Sequence, residues 1–207
     1  MNPGSPSPTN PYRPYRSKPG NATPQTVQRP SRVVIGLGGN IGPVLDTLNQ
    51  AIAILDHTSG ITVNKCSSWY QSHPVGPPQP DFINGCALLD VTISPSALLN
   101  SLLAIEQRFG RIRQERWGPR TLDLDLIFYE DQQLNLPTLQ IPHPQFHLRP
   151  FVLVPLVEIA PDWIDPRSGQ IVSVLANTVE TSSVWKVASF GIDPRCPAIN
   201  SAQVFVH

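Results

Sequence analysis

Apolar residues recur at helical spacing in two stretches of the chain. Over residues 44–55 they lie on one stripe with a period of about 3.6 residues. A second stripe covers residues 98–109. Before it, Ser94 is a preferred N-cap and Pro95 fits the first helical position, while Gly110 is a usual helix stop. The pattern therefore predicts two amphipathic helices.

Four other stretches have the length and apolar content of β-strands. They are residues 32–40, where a buried strand enters a glycine-rich turn, and residues 61–70, 82–91 and 121–129. Together with the helices, the order is β-α-β-β-α-β. That order predicts a ferredoxin-like α+β fold, in which an antiparallel sheet carries two helices on one face.

Farther along, residues 149–158 are predicted as a short helix despite Pro155, and residues 171–176 as one more helical turn. No strong periodicity follows residue 180. We therefore predict that residues 31–180 form the folded domain and that residues 181–207 are a peripheral extension.

The first 30 residues are predicted to be a disordered tail. They hold eight of the 24 prolines, few apolar residues and no acid, so they cannot build a core. Their basic, Ser- and Thr-containing composition resembles an organelle transit peptide. Prolines about every four residues oppose the amphipathic helix that such peptides use.

Composition narrows the function classes. The chain has 207 residues, 40% of them apolar, with zero formal net charge. This length and apolar content are typical of one domain. Because the net charge is zero, the chain as a whole has no electrostatic field that attracts nucleic acid or membranes. Cys66, Cys86 and Cys196 contain no CxxC pair, so we expect small core residues in a reducing compartment. No apolar run is long enough to span a bilayer and the N-terminus lacks a secretory h-region, so we expect a cytoplasmic protein. We also expect it to be a monomer.

The stretch RWGPRTLDLDLIFY, residues 116–129, combines cations with two closely spaced acids. On a strand, Asp123 and Asp125 project to the same face, roughly 7 Å apart. Leu122, Leu124, Leu126 and Phe128 are expected on the other face. The pair is either the wet face of an ordinary strand or a site for shared cations.

Four arginines precede these acids, namely Arg111, Arg113, Arg116 and Arg120. Such a run is often a solvated loop, and a nucleic-acid patch is a second interpretation. Neither explains the aspartates. A polyphosphate ligand explains both, because carboxylates hold Mg²⁺ that bridges phosphate oxygens while arginines bind the remaining oxygens.

Two other patterns are less specific. The turn GLGGNIG, residues 36–42, fits neither GxxxxGK[ST] nor GxGxxG. It is either a close approach of two backbones or a phosphate cradle, and we favour the close approach. His143 and His147 have the spacing of two helical metal ligands, but Pro142 and Pro144 oppose a helix, so we predict no zinc site there.

Several short strings, taken in order, resemble one enzyme family. They are GGNIG (38–42), SWY (68–70), PVG (74–76), QPDFIN (79–84), RWGPRTLDLD (116–125) and IPHP (141–144), followed by Arg149 and Phe151. Together they are similar to 6-hydroxymethyl-7,8-dihydropterin pyrophosphokinase of folate biosynthesis. The resemblance implies transfer of the β,γ-diphosphate of ATP to the hydroxymethyl oxygen of a reduced pterin, with two Mg²⁺ ions and AMP as the second product.

The resemblance also implies roles for individual residues. Asp123 and Asp125 match the ligands of both metals. Matches to triphosphate or nucleotide contacts are Arg111, Arg113, Arg116, Arg120, His143 and Arg149, with Arg111 and Arg120 as the catalytic pair. Matches to pterin contacts are Ser72, Val75, Phe82, Asn84 and Phe151, with Trp117 as an aromatic lid.

This chain departs from the family pattern in three places. The usual Gly-Ser-Asn turn is Gly38-Gly39-Asn40 here, and the loops after Gly76 and Arg113 are each about one residue shorter than in some relatives. No general base is apparent. The rival interpretations are a ferredoxin-like RNA-binding module, although its aromatic motif is missing, and an inactive paralogue.

Overall fold

The computed structural model describes residues 29–110 and 118–187. Five strands form the path β5-β1-β4-β3-β8, and β2 also pairs with β4. All the pairings are antiparallel. The strands of this sheet are β1 (Ser31–Gly39), β2 (Ile61–Cys66), β3 (Tyr70–Ser72), β4 (Phe82–Val91), β5 (Asp123–Tyr129) and β8 (Val184–Lys186).

Helices cover both faces of the sheet. They are α1 (Val44–Asp56), α2 (Pro95–Arg108), α3 (Pro150–Ile159) and α4 (Val172–Ala176). A short hairpin of β6 (Leu134–Leu136) and β7 (Leu139–Ile141) follows β5, and a 3₁₀ turn, Phe146–Leu148, precedes α3. The predicted ferredoxin-like α+β fold is confirmed, and within the described ranges no helix is long and apolar enough to cross a membrane.

The predicted helix α2 is confirmed together with its cap. Ser94 has an extended backbone, and its Oγ accepts a hydrogen bond from the Ala97 amide at 3.3 Å. Pro95 begins the helix and Gly110 follows its end with a φ of 73°. Local sequence signals were sufficient here, because each acts within one helical turn.

The strand predicted over residues 61–70 is divided in two. Ser67 interrupts it, because its Oγ accepts the Cys86 amide at 2.9 Å and takes the place of a ladder bond. Next to the break, the Trp69 ring packs against Gly85, where an added Cβ would lie 2.6 Å from the ring. The two halves, β2 and β3, pair with opposite ends of β4.

Two apolar clusters form the core, one on each face of the sheet. The larger packs against α1 and α2 and includes Leu122, Leu124 and Leu126, whereas the smaller packs against α3 and α4 and includes Ile127 and Phe128. The prediction that Phe128 shares a face with the leucines was therefore wrong. The pairing of β1 with β5 shifts register between Val34 and Ile35, and this irregularity reverses the alternation.

Two features lie outside the sequence expectations. Cys86 is a buried free thiol as expected, but Cys66, half-buried at the end of β2, is disulfide-bonded. Strand β8 falls within residues 181–207, yet it pairs with β3 at the edge of the sheet. The domain limits remain a prediction, with sheet pairing extending at least to Lys186.

Candidate active site

The two aspartates stand at the start of β5, beside the glycine-rich end of β1. Gly38 pairs with Asp123 and Gly36 pairs with Asp125. Because these glycines carry no side chain, space remains open beside both carboxylates. Asp123 and Asp125 line the two cavities of the site, which places them at the junction. Their predicted position on one strand face is confirmed.

Each aspartate is paired with an arginine. Arg120 Nη1 lies 2.5 Å from Asp123 Oδ2, and Arg149 Nη1 lies 3.2 Å from Asp125 Oδ2. Arg149 is the N-cap residue of α3 and also donates to Gln145 Oε1 at 2.7 Å. These side chains are between 19% and 32% exposed, so water reaches the cluster. Within each pair, the carboxylate and the guanidinium group neutralise each other's charge. The pairing also keeps both guanidinium groups at the junction.

The first cavity, about 730 Å³ including its mouth, collects all five of the described residues that were predicted to contact a pterin. Phe82 comes from β4 and Phe151 from the first turn of α3. Asn84 is buried, and its Nδ2 donates to Ser72 Oγ at 2.9 Å. Val75 is 61% exposed at the rim. Aromatic faces beside a buried amide suit a flat heterocycle with donors and acceptors on its edge.

The second cavity lies on the other side of the aspartates. It is lined by both polar and apolar residues of α2, β5, β7 and the segments beside β7, including Glu106 and His143. His143 Nδ1 accepts the Gln145 amide at 3.2 Å, so the neutral ring carries its proton on Nε2. Nε2 lies 3.9 Å from Asp125 Oδ2.

The pKa of His143 is lowered to about 4, first by burial and then by the positive charge of Arg149. The imidazole is therefore neutral at neutral pH, and its approach to Asp125 is not an ion pair. A neutral His143 offers one N–H donor next to the carboxylates. His147, in contrast, packs edge-on against Phe146.

The glycine turn is a close approach, as the sequence analysis favoured. A Cβ on Gly39 would lie 2.5 Å from the Thr121 carbonyl oxygen, so no side chain fits there. A Cβ on Gly38 would lie 3.0 Å from Asn84 Oδ1. The turn thus fixes the distance between β1, the start of β5 and the first cavity.

Asn40 and Glu106 are two important residues that the sequence analysis did not select. Asn40 Oδ1 accepts the Arg120 amide at 2.7 Å, and its Nδ2 donates to the Pro80 carbonyl at 3.0 Å. Glu106 is 2% exposed, and its Oε1 accepts the amide of Leu124, between the two aspartates, at 2.8 Å. Asn40 stood within a quoted motif, whereas a single glutamate on a helix gave no signal.

Four predicted site residues, Arg111, Arg113, Arg116 and Trp117, lie outside the described residues. Their roles stay predictions. Gly118, directly after this segment, lines the first cavity.

The donor chemistry of the junction suits magnesium. Within residues 29–110 and 118–187 no group of three His, Cys, Asp or Glu side chains could hold a metal ion by itself. Mg²⁺, however, is commonly bound through one or two carboxylates, with substrate phosphates and water completing its shell. Asp123 and Asp125 supply that number of carboxylates at a place that water reaches.

Comparison with known proteins gives concordant matches. The sequence model of the family described as 7,8-dihydro-6-hydroxymethylpterin-pyrophosphokinase matches residues 34–161. A Synechocystis sp. protein named 2-amino-4-hydroxy-6-hydroxymethyldihydropteridine pyrophosphokinase is 65% identical over 155 residues, which cover 75% of this chain and 80% of that protein. A Pseudomonas aeruginosa protein of the same name is 40% identical over 146 residues, covering 70% and 90%.

A solved structure described as HPPK-DHPS in complex with substrates is also similar, with a TM-score of 0.59. The match covers 73% of this chain but only 43% of that one, at 11% identity. This chain therefore spans less than half of the solved protein, and the likeness concerns the fold alone.

Proposed function

This chain belongs to the 7,8-dihydro-6-hydroxymethylpterin-pyrophosphokinase family and carries out the pyrophosphokinase step of folate biosynthesis, and we propose that it transfers the diphosphate of ATP to the hydroxymethyl group of 6-hydroxymethyl-7,8-dihydropterin. The products are AMP and the pterin diphosphate. Family membership gives no support to the alternatives of an RNA-binding module or an inactive paralogue.

One observation carries the proposal: two cavities of different character meet at Asp123 and Asp125. A transfer between two substrates needs the acceptor on one side and the donor on the other, with the transferred group between them. We assign the first cavity, with its aromatic side chains, to the pterin and the second, more polar cavity to the nucleotide. The β- and γ-phosphates then lie at the junction.

Asp123 and Asp125 are the residues that hold two Mg²⁺ ions in this proposal. When bound, the ions neutralise charge that develops on the phosphate oxygens during transfer. Glu106 helps to orient both aspartates, because its hydrogen bond to the Leu124 amide fixes the backbone between the two carboxylates.

Arg120 and Arg149 bind the phosphate oxygens that remain. Their guanidinium groups already point at the junction through their pairs with the aspartates. A planar guanidinium donates two parallel hydrogen bonds, which suits phosphate geometry. Arg111, Arg113 and Arg116 are proposed as further phosphate contacts and Trp117 as the aromatic lid.

Phe82 and Phe151 hold the pterin ring between their faces, while Asn84, Ser72 and the backbone near Val75 bind its polar edge. Asn84 is well suited because an amide presents both an acceptor and donors. Neutral His143 donates a hydrogen bond from Nε2 to the nucleotide. Because its pKa is lowered, the ring does not take a proton from the substrate.

No side chain is assigned as general base. In-line placement of the hydroxymethyl oxygen against the β-phosphorus, with the phosphate charge neutralised, supplies most of what phosphoryl-type transfer requires. We further propose that the enzyme acts as a cytoplasmic monomer on small molecules, without nucleic acid.

The test is release of AMP from ATP with and without 6-hydroxymethyl-7,8-dihydropterin, in the presence and absence of Mg²⁺. We expect AMP only when pterin, ATP and Mg²⁺ are all present. Release of ADP, or release of AMP at the same rate without pterin, would overturn the assignment.

A further inference from the structure

We propose that Trp185, on the edge strand β8, is a positioning residue for pterin binding that acts through His73 on the loop at the mouth of the first cavity. This loop, residues 73–81, is called the substrate loop below. The inference rests on the proposed function, because it assigns the first cavity to the pterin. Trp185 lies beyond residue 161, where the family match ends.

The substrate loop is closed at its base by side chains. His73 Nδ1 lies 3.0 Å from Asp81 Oδ1, which joins the first residue of the loop to the last. Gln71, on β3, donates its Nε2 to the other oxygen of Asp81 at 2.9 Å. Because a carboxylate only accepts hydrogen bonds, His73 donates its Nδ1 proton, and the plane of its ring is fixed on that side.

Trp185 fixes the same ring from the sheet edge. The two ring centroids are 5.0 Å apart with an interplanar angle of 66°, which is a favourable edge-to-face arrangement. Trp185 is paired with Gln71 across β3 and β8, and the His73 amide donates to the Ser183 carbonyl oxygen at 3.4 Å. The ring of His73 is thus held between Asp81 and Trp185.

This contact reaches the cavity directly. His73, Val75 and Gln79 of the substrate loop all line the first cavity, beside Phe82 and Asn84. His73 is 65% exposed on its side chain, so few neighbours other than Asp81 and Trp185 restrain it. Val75 at the tip is 61% exposed. Asn40 holds the second half of the loop through Gln79 Oε1 and the Pro80 carbonyl oxygen, and the contacts of His73 hold the first half.

The neighbouring residue of β8 contacts the helix that carries Phe151. Lys186 Nζ lies 3.7 Å from Glu158 Oε1 near the end of α3, and Glu158 also accepts hydrogen bonds from Tyr70 Oη and Ser68 Oγ, both at 2.8 Å. Phe151 lies seven residues before Glu158, on nearly the same side of α3. Strand β8 therefore contacts α3, the helix that carries Phe151, as well as His73 of the substrate loop.

The experiment compares Trp185→Ala, Trp185→Phe and Val174→Ala in the full chain. Val174 is an exposed apolar residue of α4, 46% exposed, and serves as the control for loss of surface apolar area. Steady-state kinetics are measured with pterin and with ATP as the varied substrate. We expect the KM for pterin to rise about two- to tenfold in Trp185→Ala, since edge-to-face aromatic pairs contribute on that scale.

The same variant should keep its kcat and its KM for ATP within about twofold. Trp185→Phe keeps a ring for His73 and should restore the pterin KM, and Val174→Ala should match the wild type. An unchanged pterin KM in Trp185→Ala would overturn the inference. So would an equal loss for both substrates, or a Phe variant as defective as the Ala variant.

Two further measurements keep the inference falsifiable by other routes. His73→Ala combined with Trp185→Ala should raise the pterin KM no further than the larger single effect, whereas full additivity contradicts action through His73. Trp185→Leu replaces the Ala variant if the latter does not fold.

Amide hydrogen exchange should be faster in residues 73–81 of the Trp185 variant and unchanged elsewhere, and this readout needs no turnover. If the wild-type protein releases no AMP in response to pterin, the proposed function is wrong, but hydrogen exchange still tests the contact between Trp185 and His73.

Discussion

Replacing either aspartate of β5 by asparagine separates a structural role from a catalytic one. If Asp123 and Asp125 merely lay on the solvent-exposed face of a strand, Asp123→Asn and Asp125→Asn would leave turnover nearly intact. If they hold the metals, turnover collapses while the ligand-free fold survives.

The expected effect on stability is small because two contributions oppose each other. Two carboxylates about 7 Å apart repel by about 2 kcal/mol at an effective dielectric constant of about 20, before salt screening. Each variant relieves that repulsion but loses an ion pair with Arg120 or Arg149, worth at most about 1 kcal/mol for partly exposed side chains. The paired arginines also reduce the repulsion itself. We therefore expect a change within about 1 kcal/mol, or a shift of about 4 °C at most in Tm.

The expected effect on turnover is much larger. Charge neutralisation on the transferred phosphates is worth several kcal/mol, and a loss of about 4 kcal/mol lowers kcat about a thousandfold. Added Mg²⁺ should rescue little, because the geometry of binding changes as well as its occupancy.

The assay measures AMP release across a Mg²⁺ titration, together with thermal melts of the ligand-free proteins. Asp131→Asn, in the exposed turn after β5, is the matched control and should behave as the wild type. Near-wild-type turnover in both site variants would refute the metal assignment. A loss of more than about 3 kcal/mol of stability would show instead that the aspartates are structural.

Four other outcomes are expected. Phe82→Ala should weaken pterin binding by about 1–3 kcal/mol and spare ATP, measured by titration of each ligand; equal weakening of both would mean that the ring is core packing. Proteolysis within residues 110–119 should slow when Mg²⁺ and a non-hydrolysable ATP analogue are added, and equal cleavage would contradict loop closure. A chain that begins at residue 29 should keep its melting temperature and turnover, which would be disproved by lost activity in a soluble product. Burial and the charge of Arg149 lower the pKa of His143 to about 4, so the unfolded state binds a proton at this residue first as pH falls. The free energy of unfolding of the wild type, measured by denaturant melts, should therefore drop by up to about 3 kcal/mol between pH 6.5 and 4. The drop should be smaller in His143→Gln and unchanged in the control variant His57→Gln.

Sequence alone predicted those parts of the fold whose signals are local. The ends of α2 follow from Ser94, Pro95 and Gly110, all within a turn of the helix they delimit. The shared face of Asp123 and Asp125 follows from strand alternation over three residues. Such features need no knowledge of which element lies alongside.

Features that depend on a distant partner were missed. The position of Phe128 depends on a register shift that arises only when β5 pairs with β1. Strand β8 has three residues and no periodicity, and only its pairing with β3 identifies it. Glu106 is a site residue because it lies under the Leu124 amide in the folded chain. None of these contacts leaves a pattern in either of the segments that make it.

The ion pairs at the junction have a further consequence for how the substrates bind. Without ligands, the two carboxylates and two guanidinium groups at the junction balance in charge, because Arg120 pairs with Asp123 and Arg149 with Asp125. The proposed metals and triphosphate carry opposite charges of about equal size, so binding of both adds little net charge to the junction and binding of only one adds a large net charge. Each should therefore raise the affinity for the other, and by thermodynamic linkage the two increases are equal. The same cancellation explains why a chain of zero net charge can bind a polyphosphate: the attraction arises locally, once metal has occupied the carboxylates and the two guanidinium groups are available to phosphate oxygens.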